Sequence, residues 1–217
     1  MSTHYSGTTG AAYARRQERP LKVKAKLILR KVQPFVQPTD SVVDFGCGTG
    51  RVLSLLDAGE KVGIEVNPIS RERAESFGLR TVELSDELPD AMADVVYSHH
   101  ALEHTLDPLR ELRGLRRILR PGGRLVLIVP ADDWRVQRQV DPGDINHHLY
   151  TWTPLLLGHL LSEAGFSRPR CRVVSHGWPG RLTWTLGDLL PRAAFDLVAF
   201  LTAVALRRRE LHAEAWR

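Results

Sequence analysis

Short apolar runs alternate with stretches of helical period along most of the chain. Six runs read as strands: "SVVDF" (41–45), "KVGIEV" (61–66), "RTVEL" (80–84), "ADVVYS" (93–98), "RLVLIVP" (124–130) and "RCRVVSH" (170–176). Between them lie segments with helix start and stop signals. "RVLSLLDAG" is expected to be helical up to Gly59. In "NPISRERAESFG", Asn67 can cap, Pro68 suits the first position and Gly78 can end the helix. Asp107 and Pro108 open a helix running to Arg120, and Thr153 and Pro154 open another that stops near Gly165. Before the first strand, Pro20 opens a helix with Leu21, Ala25, Ile28 and Val32 on one face and Lys22, Lys26 and Arg30 on another, closed by Pro34 and Pro38. "PGG" (121–123) reads as a turn. Nearly continuous apolar strands alternating with helices predict an α/β fold, a doubly wound, mostly parallel sheet covered on both faces. Ligands of such sheets bind at the C-terminal strand ends.

The C-terminal region breaks the rhythm. Leu186 to Leu206 is rich in Leu, Ala, Phe and Val, and Asp188, Arg192 and Asp196 recur every four residues as one polar stripe on a helix. "LVAFLTAVAL" (197–206) is too short to span a bilayer, and "RRRE" follows it. This helix is expected to pack on the domain, to form a dimer contact or to touch a membrane surface. The pattern leaves open whether "RLTWTL" (181–186) adds a seventh, antiparallel strand. The division expected is one domain: a helical N-terminal cap (1–38), a core (39–178) and a helical C-terminal extension (179–217).

At 217 residues and 43% apolar composition, the chain can bury one full core. The net charge of +5 is concentrated early, from Arg15 to Lys31, and would attract anionic partners, although a solvated helix face is the plainer reading. Aromatic residues do not interleave these charges, which disfavours nucleic acid. Only two cysteines occur, Cys47 and Cys171, without zinc spacing or a disulfide framework. The first twenty residues lack the apolar core of a secretory signal, and a cytoplasmic location is expected.

Candidate chemistry centres on "DFGCGTGR" (44–51). Gly46 and Gly48 fit the start of a dinucleotide fingerprint, but its third glycine slot is Arg51, and Gly50 comes one place early. The Lys-Ser or Lys-Thr of a phosphate loop is missing. Asp44, just ahead of the glycines, would repel a pyrophosphate but could order the loop or hold an ammonium group. Glu65, about 20 residues on at the end of the second strand, stands where an acid accepts from ribose hydroxyls. Acid, glycines and second acid together suit S-adenosylmethionine.

"VVDFGCGTGR", "VGIEVNP", "ADVVYSHHALEHTLDP" and "LRPGGRLVLIVP" resemble the four successive motifs of class I S-adenosylmethionine-dependent methyltransferases. The resemblance implies that Asp44, Gly46, Cys47, Gly48 and Gly50 line the methionine part, that Glu65 binds the ribose and Val66 flanks the adenine, and that Ser98 and His99 border the sulfonium. It implies S-adenosylhomocysteine as product. Many relatives carry an Asp at the end of the third strand; here that slot is Leu84, followed by Ser85 and Asp86, so either Asp86 reaches the adenine or backbone groups serve instead. Tyr13 and Arg16 are candidates to close over the methionine carboxylate.

Methyl transfer from a sulfonium needs alignment and desolvation, and a hydroxyl acceptor also needs a base. Histidine suits that role near neutral pH. The base candidates are His148, then His100, then His147; His104 in "LEH" reads as structural. "SHHA" after the fourth strand lacks the Asn-Pro-Pro-Tyr-like motif common among enzymes that methylate amide or base nitrogens. Asp132, Asp133, Asp141 and Asp144 show no fixed ligand spacing, so no metal is expected. The leading expectation is O-methylation of a small molecule such as a sugar, glycan precursor or natural product. Methylation of a lipid or quinone at a membrane surface is the alternative, RNA methylation is supported only by charge, and a non-catalytic methyltransferase-like partner protein is the non-enzymatic reading. Monomer and homodimer are both compatible with the sequence.

Overall fold

The computed structural model describes residues 7–17, 21–131, 139, 144, 146–175, 191–206 and 208–217. Seven strands form one sheet: β1 (Val42–Phe45), β2 (Lys61–Ile64), β3 (Arg80–Val82), β4 (Ala93–His99), β5 (Leu119–Pro130), β6 (Ser167–Ser175) and β7 (Arg209–Trp216). Their order is β3-β2-β1-β4-β5-β7-β6. The first five are mutually parallel; β7 runs antiparallel between β5 and β6. The helices are α1 (Gly7–Gln17), α2 (Leu21–Val32), α3 (Arg51–Leu55), α4 (Pro68–Glu75), α5 (Pro108–Ile118), α6 (Pro154–Glu163) and α7 (Arg192–Ala205).

The side-chain alternation of β4 and β5 shows why their apolar runs are continuous. Val95, Tyr97, Val126 and Ile128 pack with Ile28 and Val32 of α2 and with Leu53 of α3 on one face. Val96, Leu125, Leu127 and Val129 pack with Leu112 and Leu115 of α5 and Leu157 and Leu161 of α6 on the other. Both faces are therefore buried. The helix starts follow their caps. Asn67 accepts from the amides of Ile69 and Ser70, Asp107 from Arg110, and Thr153 from Leu156, each with Pro in the first turn.

Two elements differ from expectation. β5 runs through "PGG", where Gly122 has φ 81° and the register against β4 shifts between Ala93 and Val95, so the extra residues are absorbed as a bulge. The C-terminal region is not all helical: α7 is followed by β7, whose Leu211, Ala213 and Ala215 face the α5–α6 core while Glu210 and His212 face α2. The alternation in "RELHAEAW" is the strand signal that the apolar composition upstream obscured. "RLTWTL" lies outside the described residues.

Candidate active site

The glycine loop joins β1 to α3 at the C-terminal edge of the sheet. Its amides are engaged within the protein. Gly46 N and Cys47 N donate to Ile64 O (2.8 and 3.1 Å), and Gly50 N donates to Cys47 O (3.0 Å). Gly48 N donates to Glu65 Oε2 (2.8 Å). A pyrophosphate cradle needs such amides pointing at the ligand; here those of Gly46, Cys47, Gly48 and Gly50 are held by β2, by Glu65 and within the loop. The loop is built for close approach rather than for anion capture.

The glycines also serve internal packing, which motif reasoning missed. Gly50 has φ 71°, and a Cβ there would lie 2.6 Å from Ala74 Cβ and 2.7 Å from Leu79 Cδ1. At Gly46 a Cβ would meet Ala101 Cβ at 2.3 Å. Gly48 is also left-handed, with φ 54°. The Cys47 thiol is buried against Gly63; burial first, then the charges of Asp44 and Glu65, hold its pKa well above the ordinary value. It stays a neutral thiol and packs.

Asp44 is buried and accepts a hydrogen bond from Tyr97 Oη at 2.6 Å. Burial raises its pKa to about 7; the Tyr97 bond opposes this and the Glu65 charge adds to it. Glu65 uses both oxygens, accepting from Gly48 N and from Asn67 N (each 2.8 Å). Its pKa is raised, chiefly by burial, against the lowering effect of those amides and of Arg71. Arg71 donates to the carbonyls of Glu65 and Val66 (2.8 and 3.2 Å), which fixes the chain beyond β2. Asn67, which sequence reasoning read only as a cap, also donates from Nδ2 to Gly10 O (2.9 Å) and so docks α1 on this edge. Tyr13 and Arg16 lie on α1, but their side chains are outside the described set.

Ser85 is buried, with its side chain against Gly114 and its carbonyl accepting from Arg117 (2.8 Å). Asp86 is exposed and pairs with Arg110 at 3.3 Å. Ser98 is buried and donates to Phe45 O (2.8 Å), tying β4 to β1.

The histidines form two groups. His99 and His100 follow β4 with rings stacked at 4.3 Å and an interplanar angle of 9°. Both face buried Glu210, His100 Nε2 at 3.2 Å and His99 Nε2 at 3.9 Å from Oε1. The other oxygen of Glu210 meets Lys31 Nζ at 2.6 Å and His212 Nε2 at 3.3 Å. Burial alone would raise the pKa of Glu210; its contacts with His100 and His212 and the charges of Lys31 and His99 outweigh that and hold it well below the usual carboxylate range. The second group is buried Glu103 with His104 and His148, whose rings lie 5.0 Å apart. Burial lowers the His104 pKa to about 4, aided by the charges of His148, His100 and His147, while a hydrogen bond to the His147 backbone opposes. Two contacts bring the 147–150 segment back to this edge: Leu149 N donates to Glu103 O (2.9 Å) and Tyr150 Oη to Leu106 O (3.0 Å). His147 is exposed, with φ 50° and its amide on Asp144 (3.2 Å). Asp132, Asp133 and Asp141 are outside the described residues. Glu210, His212, Lys31, Tyr97 and Glu103 were not legible as site residues, because only folding brings them to the rim.

Residues 13–168 match a family described as a methyltransferase domain. The chain belongs to this family of methyltransferase domains. Among curated relatives, it is 37% identical over 111 residues to an uncharacterised 37.1 kDa protein in transposon Tn4556 of Streptomyces fradiae, covering 45% of this chain and 32% of that protein. It is 33% identical over 110 residues to ribosomal protein L11 methyltransferase of Cupriavidus metallidurans, covering 47% and 35%. The chain thus spans about a third of the length of these relatives. Among solved structures, a chain from the Haloferax volcanii complex of the Trm112 methyltransferase activator with a methyltransferase superposes with TM-score 0.66 at 21% identity, covering 94% of this chain and 93% of that one. An S-adenosylmethionine-dependent methyltransferase from Archaeoglobus fulgidus gives 0.66 at 18% identity, covering 95% and 98%. At these identities the likeness is one of fold.

Proposed function

We propose that the enzyme transfers a methyl group from S-adenosylmethionine, held at the tips of β1 and β2, to a hydroxyl of a small molecule at the tip of β4. In this reading Asp44 and Glu65 keep the glycine loop in shape, and Glu65 turns toward the ribose hydroxyls. Gly46, Cys47, Gly48 and Gly50 lie along the methionine, and Val66 along the adenine. Buried Ser85 offers backbone groups to the adenine; Asp86, paired with Arg110 at the surface, does not serve it. His148 is the base. The observation that carries the reading is the anchored 147–150 segment, which sets the His148 ring beside neutral His104 at the β4 edge. An imidazole at this edge has the proton affinity that a hydroxyl acceptor's base needs. The displacement then runs in line: the acceptor oxygen attacks the methyl carbon, the carbon–sulfur bond breaks, and His148 takes the hydroxyl proton.

Calorimetry with S-adenosylmethionine and S-adenosylhomocysteine, followed by an acceptor screen for O-methyl products, tests this. Binding without turnover on any hydroxyl, combined with methylation of ribosomal protein or tRNA, would replace the small-molecule acceptor by a macromolecule. Relatives named for those substrates motivate the arm: ribosomal protein L11 methyltransferase and the tRNA U34 carboxymethyltransferase of Hydrogenovibrio crunogenus.

One observation favours a second reading, a lipid or quinone acceptor. On α7, Leu197, Phe200, Leu201 and Val204 are each more than half exposed. No helix among the described residues is long and apolar enough to cross a membrane, so contact would be peripheral. Flotation with anionic liposomes decides: protein that stays in the bottom fraction excludes it.

A further inference from the structure

We propose that His99, His100 and Glu210 form a binding site for a divalent first-row transition ion, zinc or ferrous iron by ligand type. Three features of the chain carry this. First, the ligand atoms of the three residues lie within 4.8 Å of one another, with Glu210 Oε1 at 3.2 Å from His100 Nε2 and 3.9 Å from His99 Nε2. Ligands about 2.0–2.2 Å from one ion sit roughly 3–4 Å apart, so the spacing fits, and coordination requires the two stacked rings to tilt until their lone pairs converge. Second, the carboxylate is oriented from behind. Lys31 and His212 hold Oε2, while Oε1 is turned toward both imidazoles; outer contacts of this kind fix the ligands of metal sites. Third, His100 has φ 55°, a left-handed conformation uncommon among non-glycine residues, and it is this turn that lays the two consecutive rings side by side instead of on opposite faces of the strand.

Two imidazoles and one carboxylate leave coordination positions open, the pattern of zinc and non-haem iron sites that bind an exchangeable ligand. The ligand atoms themselves, Glu210 Oε1 and the Nε2 atoms of His99 and His100, are buried, while the rest of the His100 side chain reaches the surface beyond β4. An ion there would draw the acceptor oxygen toward its anionic form; that role rests on the proposed function, whereas occupancy of the site does not. The ligands come from residues 99, 100 and 210, and no run of sequence announces them.

Full-length protein, freed of metal with a chelator, is titrated with Co2+ while visible absorption is recorded, and with Zn2+ by calorimetry. One saturable equivalent with d–d bands is expected. His100→Asn, which retains a residue tolerant of positive φ, and Glu210→Gln should each weaken binding at least 100-fold. His148→Ala should leave it unchanged. Circular dichroism and S-adenosylmethionine calorimetry on every variant confirm folding without reference to any acceptor; should Glu210→Gln fail to fold, His100→Asn and His99→Gln carry the test. Absence of saturable binding, or equal binding in the folded variants, overturns the proposal. So does a signal lost in His148→Ala and kept in His100→Asn, which would place the ion on Glu103, His104 and His148.

Discussion

The rim at β1 and β2 and the rim at β4 and β7 solve one problem in different ways. At the first, buried carboxylates are matched mainly by backbone amides and one tyrosine: Glu65 by Gly48 and Asn67, Asp44 by Tyr97. At the second, buried Glu210 meets side chains: Lys31, His99, His100 and His212. A backbone-matched acid depends on the local path of the chain and tolerates little change in shape. A side-chain-matched acid depends on groups that titrate and exchange partners. The first arrangement favours a fixed shape, the second a change of partners.

The strongest way to break this contrast is to separate chemistry from shape. His148→Ala should lower kcat by about 10²–10⁴-fold while leaving S-adenosylmethionine affinity unchanged; unchanged turnover on the true acceptor would remove chemistry from the β4 rim. Gly50→Ala should do the reverse. Its Cβ must push Ala74 and Leu79 and accept φ 71°, for a loss of about 3 kcal/mol in urea unfolding. A loss below about 1 kcal/mol would mean the loop is less tightly fitted than the contact distances indicate. Glu65→Ala should weaken S-adenosylmethionine binding by roughly 10–100-fold in calorimetry, because the Gly48 and Asn67 amides lose a charged acceptor and the ribose loses its partner.

The smallest effects are in the pH dependence of stability, and there the rims should differ in sign. Asp44 titrates near 7 in the fold against 3.8 as a free side chain. The native state holds the extra proton, so its contribution is full below about 4 and is lost as pH rises through about 7. His104 titrates near 4 against 6.5. The unfolded state holds that proton, so its contribution is present above about 6.5 and is lost as pH falls toward 4. The two slopes, each up to about 1.4 kcal/mol per pH unit, oppose one another between pH 4 and 6.5. Urea melts across this range should show stability rising with pH more steeply in Asp44→Asn than in the wild type, and falling with pH in His104→Gln. Parallel curves for all three proteins would show that neither burial effect operates.

Legibility followed sequence distance. The parallel core was readable from the continuous strand runs and from caps such as Asn67 and Thr153, since strand burial and capping are encoded within a few residues. The glycine loop was readable for the same reason, although its glycines proved to fit Ala74, Leu79 and Ala101 as well as a ligand. β7 was missed because an apolar helix precedes it and "RRRE", which holds the first residues of the strand, was read only as the charged run that follows that helix. Glu210 and His212 went unnoticed with it. A carboxylate on the final strand gains meaning only when that strand is laid beside β5, over 80 residues upstream.

The placement of β7 between β5 and β6 has a consequence for biosynthesis. β6 leaves the ribosome before β7, yet the sheet offers it a neighbour only after β7 has paired with β5. Until β7 emerges, β5 and β6 each present an open edge, and arginines at 168, 170 and 172 give the waiting strand a charged guard against pairing with other chains. Sheet completion and delivery of Glu210 to the histidines are thus one event, so a chain that stopped before β7 would have β1 to β5 paired and the histidines without their acid.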